Sequence, residues 1–96
     1  MQYFYRAHRK PEDVLGFARD FFGARGFSPS VTGDRGRFAD SRGAVDVTVE
    51  IEGGHYTRVT AATGDVGESE IDRVAKRFLA ELHRVEEPRH NVRGAY

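Results

Sequence analysis

The sequence predicts an α+β domain: strand, helix, four strands, helix, with an antiparallel sheet and both helices on one face. Three observations carry that prediction. VTVEIEGGHYTRVT, residues 47–60, is two alternating runs around a glycine pair, the pattern of a β-hairpin. Glycine turns recur upstream at Gly33 to Gly36 and at Ser41 to Gly43, as in an antiparallel meander. Ile71, Val74, Ala75, Phe78, Leu79 and Leu82 then lie on one continuous helical face.

Residues 2–8 open the chain with Tyr3, Tyr5 and Ala7 on one side and Phe4, Arg6 and His8 on the other, a period-two strand. In KPEDVLGFARDFFGARG, Pro11 suits a first helical turn, and Glu12 and Asp13 suit the positive end of the helix dipole. Val14, Phe17, Ala18 and Phe21 form the apolar stripe, widened by Leu15 and Phe22. Gly16 within it costs about 1 kcal/mol relative to alanine and leaves room for close packing there. Gly26, rather than Gly23, is the expected left-handed cap. Four strands are expected near 27–32, 36–41, 44–52 and 55–63, with Pro29 confining the first to a sheet edge or bulge. Ser69 caps the last helix with Asp72 as its partner, and Pro88 ends it. Residues 1–87 are read as a single domain and 88–96 as a mobile tail.

This order is similar to that of the TATA-binding-protein-like and helix-grip folds. The resemblance is one of topology alone. It implies that the first strand lies beside the last, and it licenses no function.

Composition narrows the function classes. The chain has 96 residues and no cysteine, which excludes disulfides and thiolate chemistry. It carries 15 basic and 15 acidic side chains, which disfavours strong nonspecific binding to nucleic acid. Residues 44–72 hold one basic and seven acidic residues, so the excess of acid is central. Arginine outnumbers lysine 13 to 2; a GC-rich genome explains that blandly, and a planar fork for anions or aromatic faces explains it functionally. No apolar run reads as a signal peptide or a membrane span, so the expected location is cytoplasmic, with no membrane partner.

The register of the hairpin decides what its outer face displays. A two-residue Gly53-Gly54 turn would put Arg58 on the helix-covered side. A three-residue Glu52-Gly53-Gly54 loop puts Val49 opposite Thr57, Val47 opposite Val59 and Val45 opposite Ala61, with Arg58 outside. Burying an unpaired charge costs several kcal/mol, so the second register is expected. The outer face then holds Asp46, Thr48, Glu50, Tyr56, Arg58 and Thr60, joined by Phe4, Arg6 and His8. Phe4, Arg6, His8, Glu50, Tyr56 and Arg58 form the expected binding face, because aromatic and arginine side chains are favoured in protein contacts.

Chemistry finds less support. His83 and His90 flank Glu86 and Glu87, but no i,i+4 histidine pair exists, so neither a metal nor a cofactor is expected. GDVGESE crowds Asp65, Glu68 and Glu70 where a phosphate would sit, and reads as helix capping. GDRGRFADSRG lacks a nucleotide-loop lysine and reads as turns with Arg35, Arg37 and Arg42 solvated. Glu50 and Glu52 share a face without the desolvation that raises a carboxyl pKa. Ser28, Ser30, Ser41 and Ser69 sit in turn or cap contexts. No catalytic residues are assigned. The expected function is a small interaction module that self-associates or binds a protein through its open sheet face. One alternative is a ligand-binding or catalytic helix-grip domain with a pocket near Phe78 and Leu82. The other is a weak nucleic-acid binder, disfavoured by Asp46 and Glu50 on the same face.

Overall fold

The computed structural model describes residues 1–65, 67 and 69–87. Its elements are β1 (Gln2–Ala7), α1 (Pro11–Gly23), β2 (Ser28–Thr32), β3 (Arg35–Asp40), β4 (Gly43–Glu52), β5 (Tyr56–Thr63) and α2 (Glu70–Glu86). The strands form one antiparallel sheet in the order β1-β5-β4-β3-β2. The α+β class and the element order are as the sequence predicts. The tail expected at 88–96 lies outside the described residues, as do His90 and Glu68. Among the described residues, no helix is long and apolar enough to cross a membrane.

Alternation assigns the faces. Val45, Val47 and Val49 of β4 are buried, while Asp46, Thr48 and Glu50 point the other way. Both helices cover the valine side, α1 through Val14, Leu15, Ala18, Phe21 and Phe22, and α2 through Ile71, Ala75, Phe78, Leu79 and Leu82. Phe22 joins the layers: its ring stacks on Phe38 at 4.7 Å and meets Phe78 at 5.2 Å. Each such fully buried ring contributes about 1.5–3 kcal/mol.

Helix α1 closes as a Schellman motif. The Phe27 N–H donates to Phe22 O, the Gly26 N–H donates to Gly23 O, and Gly26 is left-handed at φ 85. The accompanying apolar contact is Phe22 against Phe27, edge-on at 5.5 Å. Gly26 is therefore the cap, although regular helix ends at Gly23.

Four expectations need correction. The hairpin register is shifted by two residues: Val49 faces Val59, Val47 faces Ala61, and Val45 faces Thr63. Its loop is Gly53-Gly54-His55, with both glycines left-handed at φ 63 and 75. Two successive glycines take that conformation without strain, and the shift sets Glu50 opposite Arg58, a favourable cross-strand charge pair. A slip of two preserves facing, so Arg58 is outside as expected. The turn expected over Gly33 to Gly36 is only Gly33-Asp34, so Gly36 lies buried within the strand expected from 36. A Cβ on Gly36 would lie 2.9 Å from Phe38 Cε2, so this glycine makes room for the ring. Gly16 marks no close packing; a Cβ there would meet nothing within 4 Å. Arg42, expected to be solvated, pairs with Asp40 and Glu70, donates to Arg25 O, and lies over the Phe27 ring at 4.5 Å. It ties the β3–β4 turn to the end of α1 and the start of α2.

Candidate functional site: the open face of the sheet

The uncovered face is built from cross-strand rows. Phe4, Thr60, Thr48 and Arg35 form one row; Arg6, Arg58 and Glu50 form the next. Phe4 stands 45% exposed on the face that no helix covers. The Arg58 guanidinium lies over its ring at 4.7 Å and that of Arg6 at 5.7 Å. Glu52 ties both: Oε1 accepts from Arg6 Nε, and Oε2 accepts from Arg58 Nη1 at 3.4 Å. The hydrogen bond from Arg6 holds the Glu52 carboxyl below its ordinary pKa, with the charges of Arg6 and Arg58 adding to the effect. That carboxylate is ionised at neutral pH and is no proton donor.

The rim of the patch is aromatic and basic. Tyr56 is exposed, and the His8 ring lies 5.4 Å from it. His8 Nε2 is 3.9 Å from Glu87 Oε1. On the far side of β4, Arg37 Nη1 donates to both carboxylate oxygens of Asp46 at 3.0 and 3.1 Å.

Phe4, Arg6, Tyr56 and Arg58 are thus brought together as expected, with His8 beside Tyr56. Glu50 shares the face and sits across from Arg58 in register. Sequence reasoning missed Glu52 as the hub. The expected register placed Glu52 in the loop; the observed one makes it the last residue of β4, opposite Tyr56 and within reach of Arg58. The signal was the Gly53-Gly54 pair, read as a single left-handed position instead of two.

Two further carboxylates serve the frame. Asp72 is fully buried; its Oδ1 accepts from Tyr3 Oη at 2.9 Å and Thr63 Oγ1 at 2.7 Å. Its Oδ2 accepts from Ser69 Oγ at 2.7 Å and the Gly67 N–H at 3.2 Å. Burial alone pushes this carboxyl up, but the four hydrogen bonds together hold it below the ordinary aspartate value. Glu86 accepts from Tyr5 Oη at 2.7 Å and from the His8 and Arg9 N–H groups, pinning the β1–α1 turn to the end of α2.

Among the described residues no cluster of three or more His, Asp or Glu could hold a metal. Phe78 and Leu82, the expected lining of a helix-grip pocket, are fully buried. The described depressions are open to solvent and lined by other residues; one on the sheet face runs past Ser30, Thr32, Arg35, Arg37 and Asp46, and another lies beside His8 and Tyr56. No family model matches the chain, and no curated protein matches it.

Proposed function

We propose that the open sheet face is a protein-contact surface and that the chain works as a small interaction module. One observation carries the reading: Phe4 is exposed between two arginines that Glu52 already holds in place. Ordering a free arginine at an interface costs roughly 0.5–1.5 kcal/mol. Arg6 and Arg58 have met part of that cost before any partner arrives. An aromatic ring with pre-ordered arginines is the composition of an interface anchor. The element and strand order also support reading the fold as a TATA-binding-protein-like or helix-grip topology, and that arrangement leaves one sheet face uncovered.

Nucleic acid fits the same face less well. Asp46 and Glu50 share it, and Glu52 and Glu50 together offset the charge of the two arginines nearest the exposed ring. Phosphates gain little there. For catalysis, no group of three or more His, Asp or Glu among the described residues could hold a metal, and the buried Phe78 and Leu82 offer no exposed lining for a helix-grip pocket. The test is a pull-down with the chain as bait, comparing it with Tyr56→Ser combined with Arg58→Ser. Partners retained by the parent and lost by the double variant support the reading. An unchanged set of bound proteins contradicts it.

A further inference from the structure

We infer that two copies of the chain pair antiparallel through the free edge of β1, in a register centred on Phe4. The strand order leaves two edges, β1 and β2. β2 carries Pro29, a usual guard of exposed edges. β1 has neither proline nor glycine, and its six residues pair with β5 without a bulge.

The direction of its free groups follows from one pair. Met1 and Thr63 exchange both hydrogen bonds, Met1 N to Thr63 O at 3.1 Å and Thr63 N to Met1 O at 2.9 Å. In an antiparallel ladder such pairs alternate, so the backbone groups of Tyr3, Tyr5 and Ala7 also point at β5. Those of Gln2, Phe4 and Arg6 point away from the sheet and have no partner among the described residues. His8 is next in that outward series, and its N–H is already taken by Glu86.

These facts select a register. Facing must be kept, because a slip of one residue would set Phe4 of one copy on the side that the helices of the other cover, and would aim its outward groups at backbone groups already bonded to β5. Gln2 opposite Arg6 of the second copy, with Phe4 opposite Phe4, uses every outward group and forms roughly six hydrogen bonds. Sliding by two residues brings His8 opposite Gln2, and Glu86 blocks that pair. The two-fold axis then passes beside Phe4, and the two arginine-flanked rings merge into one patch. The pairing uses the edge of the sheet rather than its face, so it stands independently of the contact reading above.

The experiment uses the full chain, and its lack of cysteine makes single-cysteine variants unambiguous. Sedimentation equilibrium over about 1–100 µM should give a species of twice 10.8 kDa. Phe4→Cys should oxidise to a covalent dimer, since the paired Cα atoms lie about 5.5 Å apart, within disulfide range. Gln2→Cys should not, because its counterpart is about 14 Å away along the strands. Gln2→Pro removes an outward N–H that β5 does not use, so it should keep its circular dichroism and, at concentrations where the chain is monomeric, its melting midpoint, while raising the dimer dissociation constant roughly ten-fold or more. A monomer throughout overturns the inference. So does a dimer indifferent to Gln2→Pro, or equally fast cross-linking of both cysteine variants. A dimer abolished by Tyr56→Ser with Arg58→Ser, but untouched by Gln2→Pro, assigns association to the face and overturns edge pairing alone.

Discussion

Ser69 and Asp72 cap each other: Ser69 Oγ accepts the Asp72 N–H at 3.2 Å and donates its own hydrogen to Asp72 Oδ2 at 2.7 Å. The same carboxylate reaches Tyr3 on β1 and Thr63 on β5, so one side chain fastens the start of α2 to the two strands beneath it. Asp72→Asn keeps the shape and replaces an acceptor with a donor. It should destabilise the fold by about 1–3 kcal/mol, because buried donors are left facing an amide. Urea unfolding measures this; an unchanged midpoint would show that the buried cluster contributes nothing net.

Acid should weaken the fold through the same residue. The folded-state pKa of Asp72 is lowered, so its stabilisation is full above the unfolded value of about 3.9 and is lost as pH falls through the folded one. Asp40, lowered mainly by its hydrogen bond from Arg42, and Glu52, lowered mainly by that from Arg6, act in the same direction. Stability should therefore decline from about pH 5 downward, with a shallower decline in Asp72→Asn. A midpoint that rises on acidification contradicts this assignment.

Two glycines should respond to alanine with opposite signs. Gly36→Ala drives a Cβ into the enclosed Phe38 ring and should cost about 1–3 kcal/mol. Gly16→Ala adds a methyl to open space on a helix and should stabilise by about 0.5–1 kcal/mol. Thermal unfolding of both variants measures the difference, and equal effects would undo the packing argument.

Glu86→Ala should leave the His8 and Arg9 N–H groups and the Tyr5 hydroxyl without their acceptor. A loss of about 1–3 kcal/mol is expected. The more specific sign is faster amide exchange at His8 and Arg9 with little change in the centre of β4. Uniformly faster exchange along the chain would show a global effect instead.

The fold was legible because each element carries a local signal. Period-two alternation marks β4 and β5, a capping pair opens α2, and Gly26 closes α1. Side-chain space was not legible: Gly36 looks like a turn residue until Phe38 is seen beneath it. The face of Arg58 followed from the cost of burying a charge, which fixes parity. Parity cannot separate registers two residues apart, so Glu52 stayed hidden as the residue joining Arg6 to Arg58. Arg42 was misread for a related reason. Asp40 is its neighbour in sequence, but Glu70 and Phe27 lie far from it along the chain and meet it only through the tertiary fold.

A photo-cross-linking amino acid at position 60 tests the contact reading most directly. Thr60 lies between Phe4 and Thr48 on the open face. The control position is Asp20, on the exposed side of α1. Irradiation of cells making the full chain should give protein adducts at 60 that are absent at 20 and lost when Phe4→Ser and Arg58→Ser are added. Adducts no stronger at 60 than at 20, or adducts indifferent to those two substitutions, would contradict a contact function for this face.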